Sequence, residues 1–473
     1  MQNNENYFDS EDFKELLTNY EAAQQAGEQP FLDADDLVDL ADYYSNNGED
    51  DKAVGVIEHA LELYPDATLP NVFKARRALE VGDFDKAHQY ADAIGDQEDP
   101  DYVYLKAEIM IAEGHVEKAD LYLRRVAKTV DESEWEDFIK DCANLYIDYN
   151  INDKAYEWMM RSKGDDSTDF KELMARTLFG LGKYKDSERL FNELIDRNPY
   201  AIHYWNALAS AQLMDEDYSN AITSSEYAIA INPEDPEGLA SKANGLFRLG
   251  NYEGALEYFS RLEKVTPDDE LVLLNEGVCL VNLQRHQEAV SYLERALELS
   301  DEESEMLPQI YLELAFCYSN MKQLSKALEM IDIAMELPGD ITELRVIRGH
   351  ILLENGLLKE AEESFKEAIR ESDNSPSVLL RIIVSLYDNR YVNASYEMFK
   401  KFFDVVNEYD PSFNKGHAYM ALCCYDLKKK DEFLEYLSLG VEKNPRETRM
   451  VLGHLFPEGM EPSEYVHYME NRL

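Results

Sequence analysis

Residues 202–235, IHYWNALASAQLMDEDYSNAITSSEYAIAINPED, hold two helical stripes around a polar break. Trp205, Leu208, Ala209 and Leu213 recur at helical spacing, and Asp215-Glu216-Asp217 interrupts them. Ala221, Ile222, Ser225, Ala228 and Ile229 form the second stripe, which Pro233 ends. Two amphipathic helices joined by a short turn make an antiparallel hairpin. A single hairpin cannot bury both of its faces, so it needs neighbours of the same build.

Those neighbours run almost the length of the 473-residue chain. A marker on the second helix recurs as Ala53, Ala87, Ala119, Ala155, Ser187, Ala221, Ala255, Ala289, Ala327, Ala361 and Ala394, in steps of 32 to 38 residues, five of them 34. The first helix carries a small residue at one site, Ala41, Ala75, Ala107, Ala143, Ala175, Ala209, Ala243, Gly277, Ala315, Gly349 and Ala421, with Ile382 as the exception. Small side chains there let the two helices of a hairpin approach closely. Gly48, Gly82, Gly114, Gly182, Gly250 and Gly356 stand between the helices, where the chain turns through left-handed φ.

The pattern Trp205…Leu208-Ala209…Ala221…Ala228…Pro233 resembles the tetratricopeptide repeat. The resemblance covers about residues 34–447 and twelve units. It departs at the edges: Trp205 is the only tryptophan at its site, and Phe433 replaces the last marker. It implies an all-α fold, a right-handed α-solenoid of stacked antiparallel helical hairpins forming a superhelix. Residues 1–33 read as an acidic segment with one capping helix. Repeats one to eight fill 34–303, a junction insertion falls at 304–307, repeats nine to twelve fill 308–447, and 448–473 cap the far end. The second helix from Ala394 to Tyr409 reads as a turn longer than the others, with Tyr396, Phe399, Phe402 and Phe403.

With 96 acidic and 46 basic residues, the net charge of −50 disfavours nucleic acid and anionic lipid as partners and suits a basic one. Cys142, Cys279, Cys317, Cys423 and Cys424 form no CxxC pair, so they fit neither a disulfide framework nor a zinc site and read as small core residues. The polar stretch Met1 to Ser10 has no signal-peptide character, and no apolar run reaches membrane-spanning length. A reducing cytoplasm is the expected location.

The sequence offers no chemistry. HExxH and GxSxG are absent, and His286 and Glu288 form an HxE without a following CxxC. Gly180-Leu181-Gly182-Lys183 lacks the upstream glycine of a phosphate loop. No catalytic residue, metal or cofactor is expected.

Function therefore falls to the groove that first helices line in the resembled family. Carried over by spacing from each small residue, polar groove contacts are Arg76, Tyr104, Lys140, Asn144, Arg176, His203, Asn206 and Asn244. The C-terminal half offers an apolar wall of Leu274, Val278, Phe316, Val346, Leu353 and Ile383. That wall needs a cover: the chain's own tail through Tyr465, Tyr468 and Met469, a second copy in a homodimer, or a partner helix. A register one residue out, with these side chains in ordinary inter-helix core, is the other reading. The family's clamp for a chaperone's C-terminal carboxylate matches only at Lys140 and Asn144, or only at Asn244 and Asn275. The leading expectation is a protein-interaction scaffold that holds a peptide or helix in its groove. The alternative is a regulatory sensor whose superhelix changes shape on binding a peptide.

Overall fold

Small residues decide where the helices meet. The first-helix alanines from Ala41 to Ala243, with Ala315 and Ala421, are fully buried, and so are the markers from Ala53 to Ala361. Two glycines show how close the approach is. A Cβ on Gly277 would fall 2.7 Å from Leu293, and one on Gly349 would fall 2.3 Å from Phe365.

The computed structural model describes residues 7–8, 10–26, 30–301, 303–457 and 459–472. Residues 1–6 and Asp9 of the polar N-terminal stretch, and Glu302 of the acidic run before the 304–307 insertion, lie outside them. Among the described residues there is no strand. The fold is the expected all-α solenoid of stacked helical hairpins, and it forms two compact units, residues up to Ile231 and residues from Asn232.

In the first unit, α1 (Glu11–Gln25) precedes six hairpins: α2 (Ala34–Asn46) with α3 (Asp50–Leu63), α4 (Thr68–Glu80) with α5 (Phe84–Ala93), α6 (Pro100–Ala112) with α7 (Val116–Val126), α8 (Trp135–Asp148) with α9 (Asn152–Met159), α10 (Thr168–Gly180) with α11 (Tyr184–Arg197), and α12 (Ile202–Met214) with α13 (Tyr218–Ile231). Helix α1 caps the row by burying Phe13 and Tyr20 against Leu37, Ala41 and Val56.

The second unit repeats the scheme: α14 (Pro236–Arg248) with α15 (Tyr252–Val265), α16 (Glu270–Asn282) with α17 (His286–Leu299), α18 (Leu307–Asn320) with α19 (Leu324–Ala334), α20 (Ile341–Glu354) with α21 (Leu358–Glu371), α22 (Pro376–Asp388) with α23 (Val392–Tyr409), and α24 (His417–Asp426) with α25 (Lys430–Lys443). The 18-residue α23 buries Tyr396, Phe399, Phe402 and Phe403. Helices α26 (Pro445–Leu452) and α27 (Pro462–Glu470) close the unit. Tyr465 and Met469 of α27 are buried in the core shared with Phe433 and Leu437 of α25, and Tyr465 stacks on Phe456 with ring centres 3.6 Å apart. These residues complete the core of the last hairpin. They do not cover the first-helix face.

All twelve inter-helix turns pass through left-handed φ. Six use the expected glycines, and Asn150, Glu216, Gln284, Lys322, Arg390 and Lys428 serve the others with φ between 56° and 68°. This second beat exposes a one-residue slip in the sequence reading. Ala394 is exposed, whereas Ser395 is fully buried and returns its hydroxyl to the Tyr391 carbonyl at 3.1 Å. The true marker is Ser395, 34 residues after Ala361. The close-contact site on α22 accordingly moves from Ile382 to Ile383.

All five cysteines are buried with free thiols. Among the described residues no helix is long and apolar enough to cross a membrane.

Candidate functional site

In the first unit, α2 touches α4, α4 touches α6, α6 touches α8 and α8 touches α10, so these first helices line up as one face; in the second unit α16 touches α18 and α20 touches α22. On α4, α6, α8 and α10 the residue just after the small contact site points out of the packed seam onto that face. In the first unit this position holds Arg76, Glu108, Asn144 and Arg176, from α4, α6, α8 and α10. Together with Tyr104, Asp101, Asp141, Asp148 and Tyr149 they line a cavity of about 720 Å³.

Five carboxylates (Glu80, Asp101, Glu108, Asp141 and Asp148) face two guanidinium groups in this cavity. Arg76 Nε donates to Glu108 at 2.9 Å. Among the described residues, neither Arg176 nor Asn144 makes a hydrogen bond or ion pair with protein, and Arg176 is exposed. Recession into the concave wall raises the Asp101, Asp141 and Asp148 carboxyls above their ordinary range. Asp141 and Asp148 keep much of their own surface open, so the effect comes from the surrounding wall and not from enclosure. Burial also raises both tyrosine hydroxyls. Tyr104 lies beside Asp141, and Tyr149, close to Glu108, is pushed up to about 12.

Of the expected polar contacts, Arg76, Tyr104, Asn144 and Arg176 converge on this cavity. The others do not. Lys140 turns to Asp137 at 2.8 Å and Asp165 at 3.9 Å. His203 is exposed with its ring against Tyr204, and Asn206 is buried. Asn244 is exposed on the second unit. Spacing alone missed Asp101, Asp141, Asp148 and Tyr149. They lie two turns before, half a turn before and more than a turn after the contact site, where the concave wall bends round.

The apolar wall of the second unit is largely interior, which corrects the sequence reading. Leu274, Val278, Val346, Leu353 and Ile383 are buried in core clusters. The reason is geometric. Leu274 and Val346, three residues before their contact sites, lie in the seam between neighbouring first helices, where a short apolar side chain disappears and a long polar one reaches out. Val278, just after Gly277, is short enough to sink into the same core as Leu274. Ile383 has a second reason, because it occupies the contact site itself. Phe316 stays half-buried. It lines a smaller cavity of about 400 Å³ with Val346, His350, Leu380, Val384 and Tyr419. Val384 is the residue that the corrected register brings to the face. His350 Nδ1 lies 2.9 Å from the buried Ser385 hydroxyl.

Comparison with known proteins agrees with the hairpin pattern. Residues 173–236 and 241–304 match one tetratricopeptide repeat model, and residues 342–374 match another. A repeat-containing protein of Methanocaldococcus jannaschii is 19% identical over 386 residues, taking in 76% of this chain and 67% of that protein. The bovine BBSome complex member BBS4 is 23% identical over 199 residues, 42% of this chain and 37% of its own length. The chain thus spans little more than a third of the bovine relative. Among solved structures, yeast Tom70 aligns over 93% of this chain and 96% of its own, at 16% identity and a TM-score of 0.43. The chain thus carries tetratricopeptide repeats over residues 173–236, 241–304 and 342–374, and most of its other hairpins are closed by the same small-residue contact.

Proposed function

We propose that the chain is a protein-interaction scaffold and that the first-helix face of its first unit holds a basic peptide segment. The observation that carries this reading is the 720 Å³ cavity, where four successive first helices bring five carboxylates against two guanidinium groups. A lysine or arginine side chain entering it would supply the missing positive charge. The Tyr104 and Tyr149 rings offer cation–π faces, each such contact adding about 0.5–2 kcal/mol. Arg176 and Asn144 are placed to meet peptide carbonyls or a flanking acidic residue. The charge of the whole chain supports the same reading, because a −50 field draws a basic segment in and speeds the encounter.

The test is fluorescence anisotropy of a labelled lysine- and arginine-rich peptide against the full chain. Asp141→Asn with Asp148→Asn is expected to weaken binding about tenfold, and salt is expected to weaken it steeply. Affinity that ignores both the substitutions and the salt concentration would remove the basic segment from the reading. A scaffold with other partners would survive that result.

A further inference from the structure

The turn of the last hairpin reads Lys428-Lys429-Lys430, in a chain whose acids outnumber its bases by 96 to 46. Lys428 takes the left-handed turn position with φ of 56°, and Lys430 begins α25. The three side chains, with Asp426, whose carboxylate accepts from the Tyr387 hydroxyl at 2.5 Å, ring a cavity of about 450 Å³. Its floor is Cys424 and Phe433, and its wall is the exposed ring of Tyr425, 5.4 Å from the Phe433 ring.

Lys429 is already engaged. Its ammonium donates to the Tyr396 hydroxyl at 2.9 Å and to Glu432 at 3.2 Å. Lys400 stands over the same Tyr396 ring, 5.6 Å from its centre, and adds positive charge behind the turn. Lys428 and Lys430 differ. Both are exposed, and among the described residues neither pairs with a carboxylate. Two other cations near inter-helix turns are paired, whereas Arg390, at the turn of the preceding hairpin, is not paired among the described residues. Lys185 reaches Asp215 at 2.7 Å, and Lys322 reaches Glu354 at 2.8 Å. What sets this turn apart is that two unpaired ammonium groups stand together beside an apolar floor.

We propose that this cavity docks an acidic segment of a partner protein. An aspartate or glutamate pairs with Lys428 and Lys430, and an adjoining aliphatic side chain enters against Tyr425 and Phe433. Charge complementarity selects this occupant. The −50 charge of the chain opposes an extended anionic surface such as a bilayer or a nucleic acid. A short acidic segment reaches a recessed site and meets the lysines within a Debye length of about 8–10 Å, where their local field dominates. The proposal is independent of the basic-segment reading, since it concerns the other unit and the opposite charge.

The experiment uses the full chain and a fluorescein-labelled peptide of glutamates flanking a central leucine pair. Its counterpart, with lysine for every glutamate, serves as the comparison probe. The glutamate probe is expected to bind at physiological salt, where the field of the rest of the chain is screened. K428E with K430E is expected to weaken it at least about tenfold, the scale of losing a charged contact pair. Lys118→Glu, a charge reversal on the first unit, is expected to leave it unchanged. K428Q with K430Q, checked by circular dichroism, covers the case in which charge reversal unfolds the hairpin. The lysine probe is expected to ignore all substitutions at the turn. No binding of the glutamate probe at physiological salt, or equal binding by the variants, overturns the proposal. So does a molar mass that exceeds the monomer without peptide and falls in the variant, which gives the cavity to a second copy. Sedimentation with phosphatidylserine vesicles that depends on Lys428 and Lys430, without peptide binding, gives it to a membrane and also overturns the proposal.

Discussion

Glu276 sits fully buried on α16 with half of its carboxylate unprovided for. Ser260 donates to Oε1 at 2.5 Å, while Oε2 has no partner. Burial pushes the carboxyl up to about 7. A raised carboxyl means that the folded chain holds a proton which the unfolded chain releases near pH 4.5. Stability from this group is therefore present at acid pH, falls as pH rises from about 4.5 to 7, and stays low above. Glu276→Gln keeps the Ser260 hydrogen bond without the charge. It is expected to raise stability at pH 8 by on the order of 1–2 kcal/mol and to change it far less at pH 4, below both titrations. Urea melts at the two pH values check this, and an equal gain at both would mean that packing and not charge is responsible. The cavity carboxyls of Asp101, Asp141 and Asp148 are raised too, so they share the stability sign. For a bound cation the sign reverses, because only ionised carboxylates attract it. Affinity for a basic peptide is expected to fall as pH drops from neutral into the acid range, and to begin falling at a higher pH than ordinary carboxylates would give, read by anisotropy.

At the scale of elements, the hairpins were legible because their constraint is steric and repeats. Two small residues per hairpin and a left-handed turn leave a mark that one-letter spacing can carry. The slip at Ala394 arose because an alanine stands beside Ser395, and serine is read less readily as a buried contact. Its hydroxyl is satisfied within its own helix, which lets it serve. Polar groove residues such as Arg76 and Arg176 were legible because a long charged side chain resists burial. The apolar ones were not, since spacing cannot separate the seam between helices from the face beside it. The glycines give a paired test. Gly349→Ala drives a Cβ to 2.3 Å from the Phe365 ring and is expected to cost about 1–3 kcal/mol, despite the gain in helix propensity. Gly55, inside α3, has open space around its missing Cβ, and Gly55→Ala is expected to add up to about 1 kcal/mol. Thermal melts should move in opposite directions.

For the whole molecule, charge and modularity set the expectations. A net charge of −50 over 473 residues repels itself, and added salt screens that repulsion. The melting temperature is expected to rise between low and physiological salt, as followed by circular dichroism. In a stacked-repeat protein each hairpin leans mainly on its neighbours. Damage at Gly349 is therefore expected to lower hydrogen-exchange protection in α18 to α23 and to leave α2 to α11 protected.

The five enclosed cysteines turn this modularity into something measurable. Burial pushes the thiols of Cys279, Cys317 and Cys424 up to about 12 and raises those of Cys142 and Cys423 as well. A thiol that stays protonated and shut away does not react with an alkylating reagent until the surrounding helices part. Cys142 times the opening of the first unit, Cys279 and Cys317 time two adjacent hairpins of the second, and Cys423 with Cys424 times its last hairpin. The rate at which each one is labelled is a built-in stopwatch for how often that part of the stack breathes, with no probe to attach.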